Sequence, residues 1–315
     1  MNDGKQTYRG RFAPSPTGPL HFGSLVAAVG SYLDARHHHG EWRVRIEDID
    51  PPREVPGAAD DILKSLEWFG MQWDGALHYQ SRNLARYRQT LEWLEQGGLL
   101  YGCACTRKEI ADSAAPGETA AVYPGTCRNG IPGGRPARAL RLRVDCDEIT
   151  LHDRLQGTVR QSLRKEVGDF IVRRADNLIA YQLAVVVDDA DQGITRVVRG
   201  VDLLDSTPRQ IYLQRLLELP TPEYLHLPVA TTTAGEKLGK QTRARRIGTE
   251  NPVAVLLDVL RFLNQELPAT PGDARMEELW QWAITHWDTT ALPACRALPA
   301  PAGYLHQSGA ARRPA

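Results

Sequence analysis

Two segments far apart in the chain carry residues suited to phosphate chemistry. The first, RFAPSPTGPLHFGSL at 11–25, sets Pro14, Pro16 and Pro19, two glycines and a histidine ahead of an Ala-rich run. The prolines remove freedom from the loop before any ligand arrives. Gly18 and Gly23 permit close backbone approach. His21 can donate a hydrogen bond to a phosphate oxygen, and the helix that follows offers unsatisfied N–H groups at its start. The second segment, GEKLGKQTRARR at 235–246, sets Lys237 and Lys240 three residues apart beside Gly235 and Gly239. A basic, glycine-bearing loop can close on a polyphosphate and act where negative charge grows in a transition state. Each segment alone also reads as ordinary structure, a stiff connection or a solvated basic loop. As a pair they point to a nucleotide.

A third grouping suggests metal. Of five cysteines, Cys103, Cys105 and Cys127 lie close in sequence. In a reducing compartment such a cluster favours metal over disulfides. Zinc takes four ligands in a closed structural site. Cys146 is one candidate for the fourth, and buried free thiols are the alternative.

The elements that must position these groups follow from the pattern. A short strand at 8–13 feeds the proline turn, a helix at 23–36 follows it, and 43–50 reads as a strand stopped by Pro51 and Pro52. Helical spacing recurs at 57–69 and 82–96. This alternation predicts a parallel α/β domain, in which ligands bind beyond the carboxyl ends of strands. Residues 103–167 change character, with Gly, Pro and short strands, and read as an insertion. Residues 169–200 read as two strands joined at Asp176-Asn177, then a third. A helix is expected after LDST, capped by Ser206 or Thr207 with Pro208 in its first turn. Two amphipathic helices are expected near 252–266 and 276–287, then a frayed Pro/Ala/Gly-rich end. The expected organisation is a first catalytic part at 1–102, the insertion at 103–167, a second catalytic part at 168–245 and a helical region at 246–315.

Composition sets limits on partners. The 315 residues are 42% hydrophobic and 24% charged, with no net charge, so a nucleic-acid partner must be attracted by local patches. No apolar run is long enough to span a bilayer, and MNDGKQTYRGR lacks the apolar core of a signal peptide. A cytoplasmic monomer without membrane contact is the expectation. His37, His38 and His39 read as a helix end rather than a metal site. Trp280, Trp282 and Trp287 read as core.

The segments HFGS at 21–24 and KLGKQ at 237–241 resemble the signature pair of class I aminoacyl-tRNA synthetases, roughly HIGH and KMSKS. With RIEDID at 45–50, the match is similar to the glutamyl and glutaminyl branch and runs from about residue 8 to residue 240. That resemblance implies an α/β fold: a Rossmann-type parallel-sheet catalytic domain with an inserted zinc-binding subdomain and a short helical C-terminal region. It implies ATP with Mg²⁺ and formation of glutamyl-adenylate. His21 and Lys240 become the catalytic pair, with Gly23 and Lys237 beside them on ATP. Arg11, Ala13, Ser15, Glu47, Tyr181 and Arg199 become the glutamate pocket, Arg11 meeting the side-chain carboxylate and Glu47 the α-ammonium group. Glutamate is expected over glutamine. A Cys-x-Cys…Tyr-x₃-Cys site selects Cys103, Cys105, Tyr123 and Cys127 for one zinc per chain. Ser24 replaces the second histidine and Gly239 the usual serine.

Only about seventy-five residues follow Lys240, too few for the large anticodon-binding region of a conventional member. The chain resembles instead the truncated members that activate L-glutamate without tRNA and esterify it to queuosine in the anticodon of tRNA(Asp). Arg243 to Arg246 and Arg107-Lys108 are candidate phosphate contacts. A compact enzyme charging the 3′ end of tRNA(Glu), or a non-catalytic synthetase-like binding protein, are the rival expectations.

Overall fold

Strand β1 (Arg9–Phe12) runs parallel to β2 (Glu41–Ile46), with Arg11 opposite Arg43. Between them the proline turn leads into α1 (Phe22–His37). The small residues of α1 permit close packing: a Cβ on Gly30 would stand 2.5 Å from the Leu227 side chain. After α2 (Ala58–Trp68), β3 (His78–Tyr79) adds a further parallel strand beside β2, and α3 (Leu84–Gln96) follows. The computed structural model describes residues 7–111, 122–239, 246–247, 251–271 and 275–305.

The next stretch is antiparallel. Strand β4 (Leu100–Cys103) leads to α4 (Arg107–Ala111), and β5 (Ala139–Leu142) pairs with β4 on one side. A hairpin of β6 (Ile149–Asp153) and β7 (Gly157–Gln161) turns at Gly157, whose φ of 74° suits glycine. After α5 (Leu163–Glu166), β8 (Phe170–Arg173) closes the other side of β5. This sheet therefore begins before residue 103 and ends after residue 167.

The polypeptide then returns to parallel structure. Helix α6 (Tyr181–Asp191) precedes β9 (Arg196–Gly200), and α7 (Thr207–Leu216) precedes β10 (Glu223–Leu227). Strands β9 and β10 are parallel. Thr195 N–H donates to Arg9 O at 2.9 Å, setting β9 beside β1. Strand β11 (Val229–Thr231) is followed by α8 (Pro252–Phe262), α9 (Met276–Thr285) and β12 (Ala297–Pro299), and β12 pairs back onto β11.

Two expectations need correction. Residues 181–191 are helix, not strand. Leu183 through Asp189 are all buried, so the segment has no polar face to reveal a helical period, and its Val run imitates a strand. Neither Ser206 nor Thr207 caps α7 through its side chain; a 3₁₀ turn over Val201–Ser206 leads directly into the helix. Thr207 Oγ1 instead donates to Leu203 O at 3.2 Å.

Three buried clusters result. One joins α1, α2, β1 and β2 to α8 and α9. A second joins α3 and the β5, β6 and β8 strands to α6 and α7. The third is small: Tyr101, Cys103, Tyr123 and Cys127. Trp280 and Trp287 lie in the first, donating to Phe69 O and Asp34 Oδ1. His38 stacks on Tyr8, and His37 bonds to Ile284 O at 2.8 Å. Of the expected frayed end, residues 306–315 lie outside the described residues. Tyr304 stacks on Phe22 at 4.4 Å and donates to Asp258 at 2.9 Å. Among the described residues no helix is long and apolar enough to cross a membrane.

Candidate active site

The proline turn is stapled into position before any ligand is considered. Glu47 N–H donates to Pro14 O at 2.9 Å and Val55 N–H to Pro16 O at 3.0 Å. Gly18 takes a φ of 141°, a conformation that side chains disfavour. His21 is the N-cap of α1: its Nδ1 accepts from Ser24 N–H at 3.2 Å, and its Nε2 lies 3.1 Å from Ser24 Oγ. Accepting at Nδ1 leaves the proton on Nε2. Burial, with Lys237 nearby, lowers the imidazole to about 4, so it is neutral near pH 7. Ser24, which stands where a second histidine would be, thus completes the cap.

A cleft of about 330 Å³ opens over this turn, lined by His21, Gly23, Gly200, Asp202 and Lys237 among others. Lys237 Nζ sits 2.6 Å from Asp202 Oδ2. Arg246 forms a bridge with His21 and pairs with Asp61 at 3.5 Å. Lys240 and Arg243 to Arg245 lie outside the described residues. Arg107 and Lys108 are exposed on α4.

A second cavity of about 300 Å³ is lined by Arg11, Ala13, Ser15, Glu47, Tyr181 and Arg199. All six residues expected around an amino acid therefore meet in one place. Ala13, Ser15, Gly200 and Leu203 line both cavities, so the two adjoin. Strand ends supply the set: Arg11 from β1, Glu47 just beyond β2, and Arg199 from β9. Tyr181 begins α6.

The charges beneath this cavity are arranged unequally. Arg11 meets Asp189 through Nε at 3.1 Å and Nη2 at 3.2 Å. Arg45, fully buried, lies 2.8 Å from Asp189, 3.4 Å from Glu47 and 3.7 Å from Asp188. Asp188 also receives Gln80, Asn83 and the Tyr87 hydroxyl. Burial pushes the Glu47 carboxyl up, against the pull of Arg45 and Arg11. Burial also opposes ionisation of Asp189, but Arg11 and Arg45 outweigh it and hold that carboxyl low.

Arg199 differs. Its partners are His226 Nε2 at 3.1 Å, Tyr181 OH at 3.4 Å, Thr207 Oγ1 at 2.9 Å and Gln210 Oε1 at 2.8 Å. Among the described residues it makes no ion pair with a carboxylate, although it is only 5% exposed. A buried cation with neutral partners is ready for an anionic ligand. Sequence reasoning missed Arg45, Asp188, Asp189 and His226. The available signal was the acidic pair ending an apolar run in AVVVDD and the histidine inside YLHL.

The cysteines form a separate centre. Cys103, Cys105 and Cys127 place their sulfurs within 4.8 Å of one another, with those of Cys105 and Cys127 3.6 Å apart. Tetrahedral Zn²⁺ with Zn–S bonds near 2.3 Å sets sulfurs about 3.8 Å apart, so the donor set fits zinc. The Tyr123 hydroxyl lies 3.5 Å from Cys103 Sγ and 3.9 Å from Cys105 Sγ, and accepts from Cys127 N–H at 2.9 Å. Cys146 is not part of the group. Arg141 donates to Cys103 Sγ at 3.2 Å and stacks 3.6 Å over the Tyr123 ring. Burial, with Cys127 and Cys103 adjacent, pushes the Cys105 thiol up to about 11. Burial also acts against the Cys103 thiolate, yet Tyr123 and Arg141 bring that thiol below its ordinary value.

Fold and cleft define a class, and the comparisons agree with it. The model of the catalytic domain of class I tRNA synthetases (E and Q) matches residues 7–253. The chain belongs to this family. Among its relatives, a protein of Dechloromonas aromatica named Glutamyl-Q tRNA(Asp) synthetase is 61% identical over 288 residues, covering 91% of this chain and 96% of its own. One of the same name from Pseudomonas aeruginosa is 52% identical over 293 residues, covering 93% of this chain and 98% of its own. The solved glutamate-tRNA synthetase of Elizabethkingia anophelis superposes with a TM-score of 0.76 at 26% identity, over 94% of this chain and 68% of that one. A glutamate tRNA ligase from Elizabethkingia meningosepticum, solved in complex with its amino acid, has the same TM-score at 25% identity, over 95% of this chain and 68% of that one.

Proposed function

We propose that the chain activates L-glutamate with ATP and transfers the glutamyl group to queuosine in the anticodon of tRNA(Asp). The observation that carries this reading is that the two cavities adjoin across shared lining residues. An amino acid held at Arg11, Glu47, Tyr181 and Arg199 has its α-carboxylate directed toward the cleft of His21 and Lys237. The 52% to 61% identity to proteins named Glutamyl-Q tRNA(Asp) synthetase supports the choice of acceptor.

The chemistry asks mainly for positioning and charge. Glu47 receives the α-ammonium group, whose positive charge counters the burial that raises its carboxyl. Arg199, and Arg11 through its remaining Nη1, receive the side-chain carboxylate. Ala13 and Ser15 line the path between the cavities. One α-carboxylate oxygen attacks the α-phosphorus of ATP; the bond to the β-phosphate oxygen breaks and Mg²⁺-pyrophosphate leaves. His21, neutral with its proton on Nε2, donates toward the phosphoryl oxygens without adding a charge. Gly23 keeps the backbone open beside it. Lys237 leaves Asp202 to meet the phosphates, and Lys240 joins it from the adjoining loop. In the second step a hydroxyl of the queuosine cyclopentene diol attacks the mixed-anhydride carbonyl, and AMP leaves.

Cys103, Cys105, Tyr123 and Cys127 would hold one zinc ion, whose contribution is structural. They join β4 to the loop after residue 121. Arg107 and Lys108 on neighbouring α4, and Arg246 near His21, are proposed contacts for tRNA phosphates and should make binding salt-dependent.

The test offers labelled glutamate to tRNA(Asp) with and without queuosine, and to tRNA(Glu), alongside pyrophosphate exchange with glutamate or glutamine. The expected result is exchange with glutamate alone, without tRNA, and label only on queuosine-bearing tRNA(Asp). Label on tRNA(Glu) overturns the acceptor. Faster exchange with glutamine overturns the pocket.

A further inference from the structure

The proposed glutamate contact Arg199 rests on a second layer that its own strand does not supply. Arg199 and His226 are register partners on parallel β9 and β10. Arg199 Nε–H donates to His226 Nε2 at 3.1 Å. A nitrogen that accepts carries no proton, so the His226 proton is on Nδ1. That nitrogen lies 2.6 Å from Asp153 Oδ2. Asp153 ends β6, in the antiparallel part of the chain. Its other oxygen, Oδ1, accepts three backbone N–H groups: Leu155 at 3.0 Å, Gln156 at 2.8 Å and His226 at 3.2 Å. Asp153, His226 and Arg199 are each 5% exposed or less. Gln156 Nε2 adds a bond to His226 O at 2.9 Å.

The geometry points to Asp153 and His226 as positioning residues for amino-acid recognition: the hairpin β6–β7 fixes the His226 tautomer, and the tautomer fixes Arg199. This rests on the reading of Arg199 as a glutamate contact. The alternative tautomer would turn an N–H of His226 against the N–H of Arg199, leave only Thr207 Oγ1, 3.2 Å from Nε2, to accept it, and set a bare Nδ1 lone pair against the Asp153 carboxylate. The guanidinium would rotate away from Tyr181 and the cavity. Polar second layers of this kind commonly set the orientation of the groups that touch ligand.

The carboxylate makes the prediction sharp. In Asp153→Asn, the three backbone N–H groups demand that the amide oxygen stay at the Oδ1 position. The amide NH₂ must then face His226 Nδ1, which forces the proton to Nε2. Asp153→Asn should therefore raise the glutamate KM by about tenfold or more, the scale of one charge-assisted hydrogen bond. The ATP KM in the same pyrophosphate-exchange assay should not change. His226→Gln, whose amide can donate to Asp153 and accept from Arg199, should raise the glutamate KM far less than His226→Ala.

The decisive readout is independent of substrate. Ring-nitrogen NMR of ¹⁵N-histidine-labelled protein, assigned through His226→Gln, should give a neutral His226 protonated at Nδ1 in the parent and at Nε2 in Asp153→Asn. A parent His226 protonated at Nε2 overturns the proposal, even if Asp153→Asn does not fold. So does an Asp153→Asn protein with unchanged glutamate KM, or with glutamate and ATP KM raised together. If Arg199→Ala leaves the glutamate KM unchanged while the tautomers behave as expected, the pocket reading fails and the His226 geometry stands.

Discussion

Arg199 and Arg141 are both buried arginines with no carboxylate ion pair among the described residues, yet they sit in very different surroundings. Arg199 is held by four side chains from β10, α6 and α7, inside a cluster that runs through half the molecule. Arg141 donates to the Cys103 thiol and to Asp169 O at 2.7 Å and lies over the Tyr123 ring, beside a cluster of four residues. Charge buried without an opposite charge is costly. Each arginine is suited to an anion. For Arg199 that anion is proposed to be the substrate carboxylate. For Arg141 it is proposed to be the Cys103 thiolate, which a bound metal would favour by displacing the thiol proton. The first site is preorganised by long-range packing; the second is proposed to be completed by a metal ion.

The largest way to break this comparison is Arg199→Ala. It should lower glutamate-dependent exchange by at least about a hundredfold in kcat/KM, the loss of two charge-assisted hydrogen bonds. Arg199→Lys should not restore it, since an ammonium cannot copy the fork. Retained activity would mean that Arg11, already committed to Asp189, suffices.

Metal removal comes next. Stripping zinc with a chelator should lower the melting temperature and expose Cys103, Cys105 and Cys127 to thiol reagents. Exchange without tRNA should persist within a few-fold, because the cavities rest on other cores. Parallel loss of exchange and zinc would erase the distinction between the two sites. Purified protein should contain about one zinc per chain.

A smaller effect isolates Arg141. Arg141→Gln should weaken zinc retention by about tenfold to a hundredfold in chelator competition, the range for groups that support metal ligands. Unchanged zinc affinity would show that the arginine serves packing alone.

The smallest effect is a slope in stability with pH. His21 and His226 are each lowered to about 4, burial being the main cause. The unfolded chain takes those protons near pH 6.5, and the folded chain refuses them until about pH 4. Their stabilisation is full above 6.5 and is lost as pH falls toward 4. Asp153 and Asp189, held low by their partners, lose their contribution only below the ordinary Asp range. Glu47, raised by burial, opposes the slope. Melting temperature should therefore fall from pH 7 to pH 5, and His226→Gln should flatten the fall. An unaltered slope in that variant would show that His226 does not carry its share.

Much of the proposed site could be read from the chain because its residues flank turns. Arg11 and Ala13 lead into the proline loop, Ser15 lies between two of its prolines, Glu47 comes shortly before a double proline, and Arg199 precedes Gly200. Glycine and proline punctuate sequence strongly. The residues beneath the site were hidden by the opposite condition. Asp188 and Asp189 close the stretch of α6, Leu183 to Asp189, that is buried on every side, where periodicity vanishes. His226 and Asp153 are far apart in sequence and meet only when a hairpin docks on β10. Partnership across 73 positions leaves no local mark. The cysteine centre was legible as a donor set, but Arg141 was not. An arginine in an alternating strand looks like any solvent-facing residue until its sheet is known.

The N-cap role of His21 has a bearing on how any kinetic study of that position is interpreted. One imidazole both terminates α1 and faces the nucleotide cleft, so an alanine there unties a helix in the same stroke that removes a donor. Asparagine can still tie the first turn but presents its amide elsewhere. Comparing the two substitutions separates architecture from chemistry at a single locus.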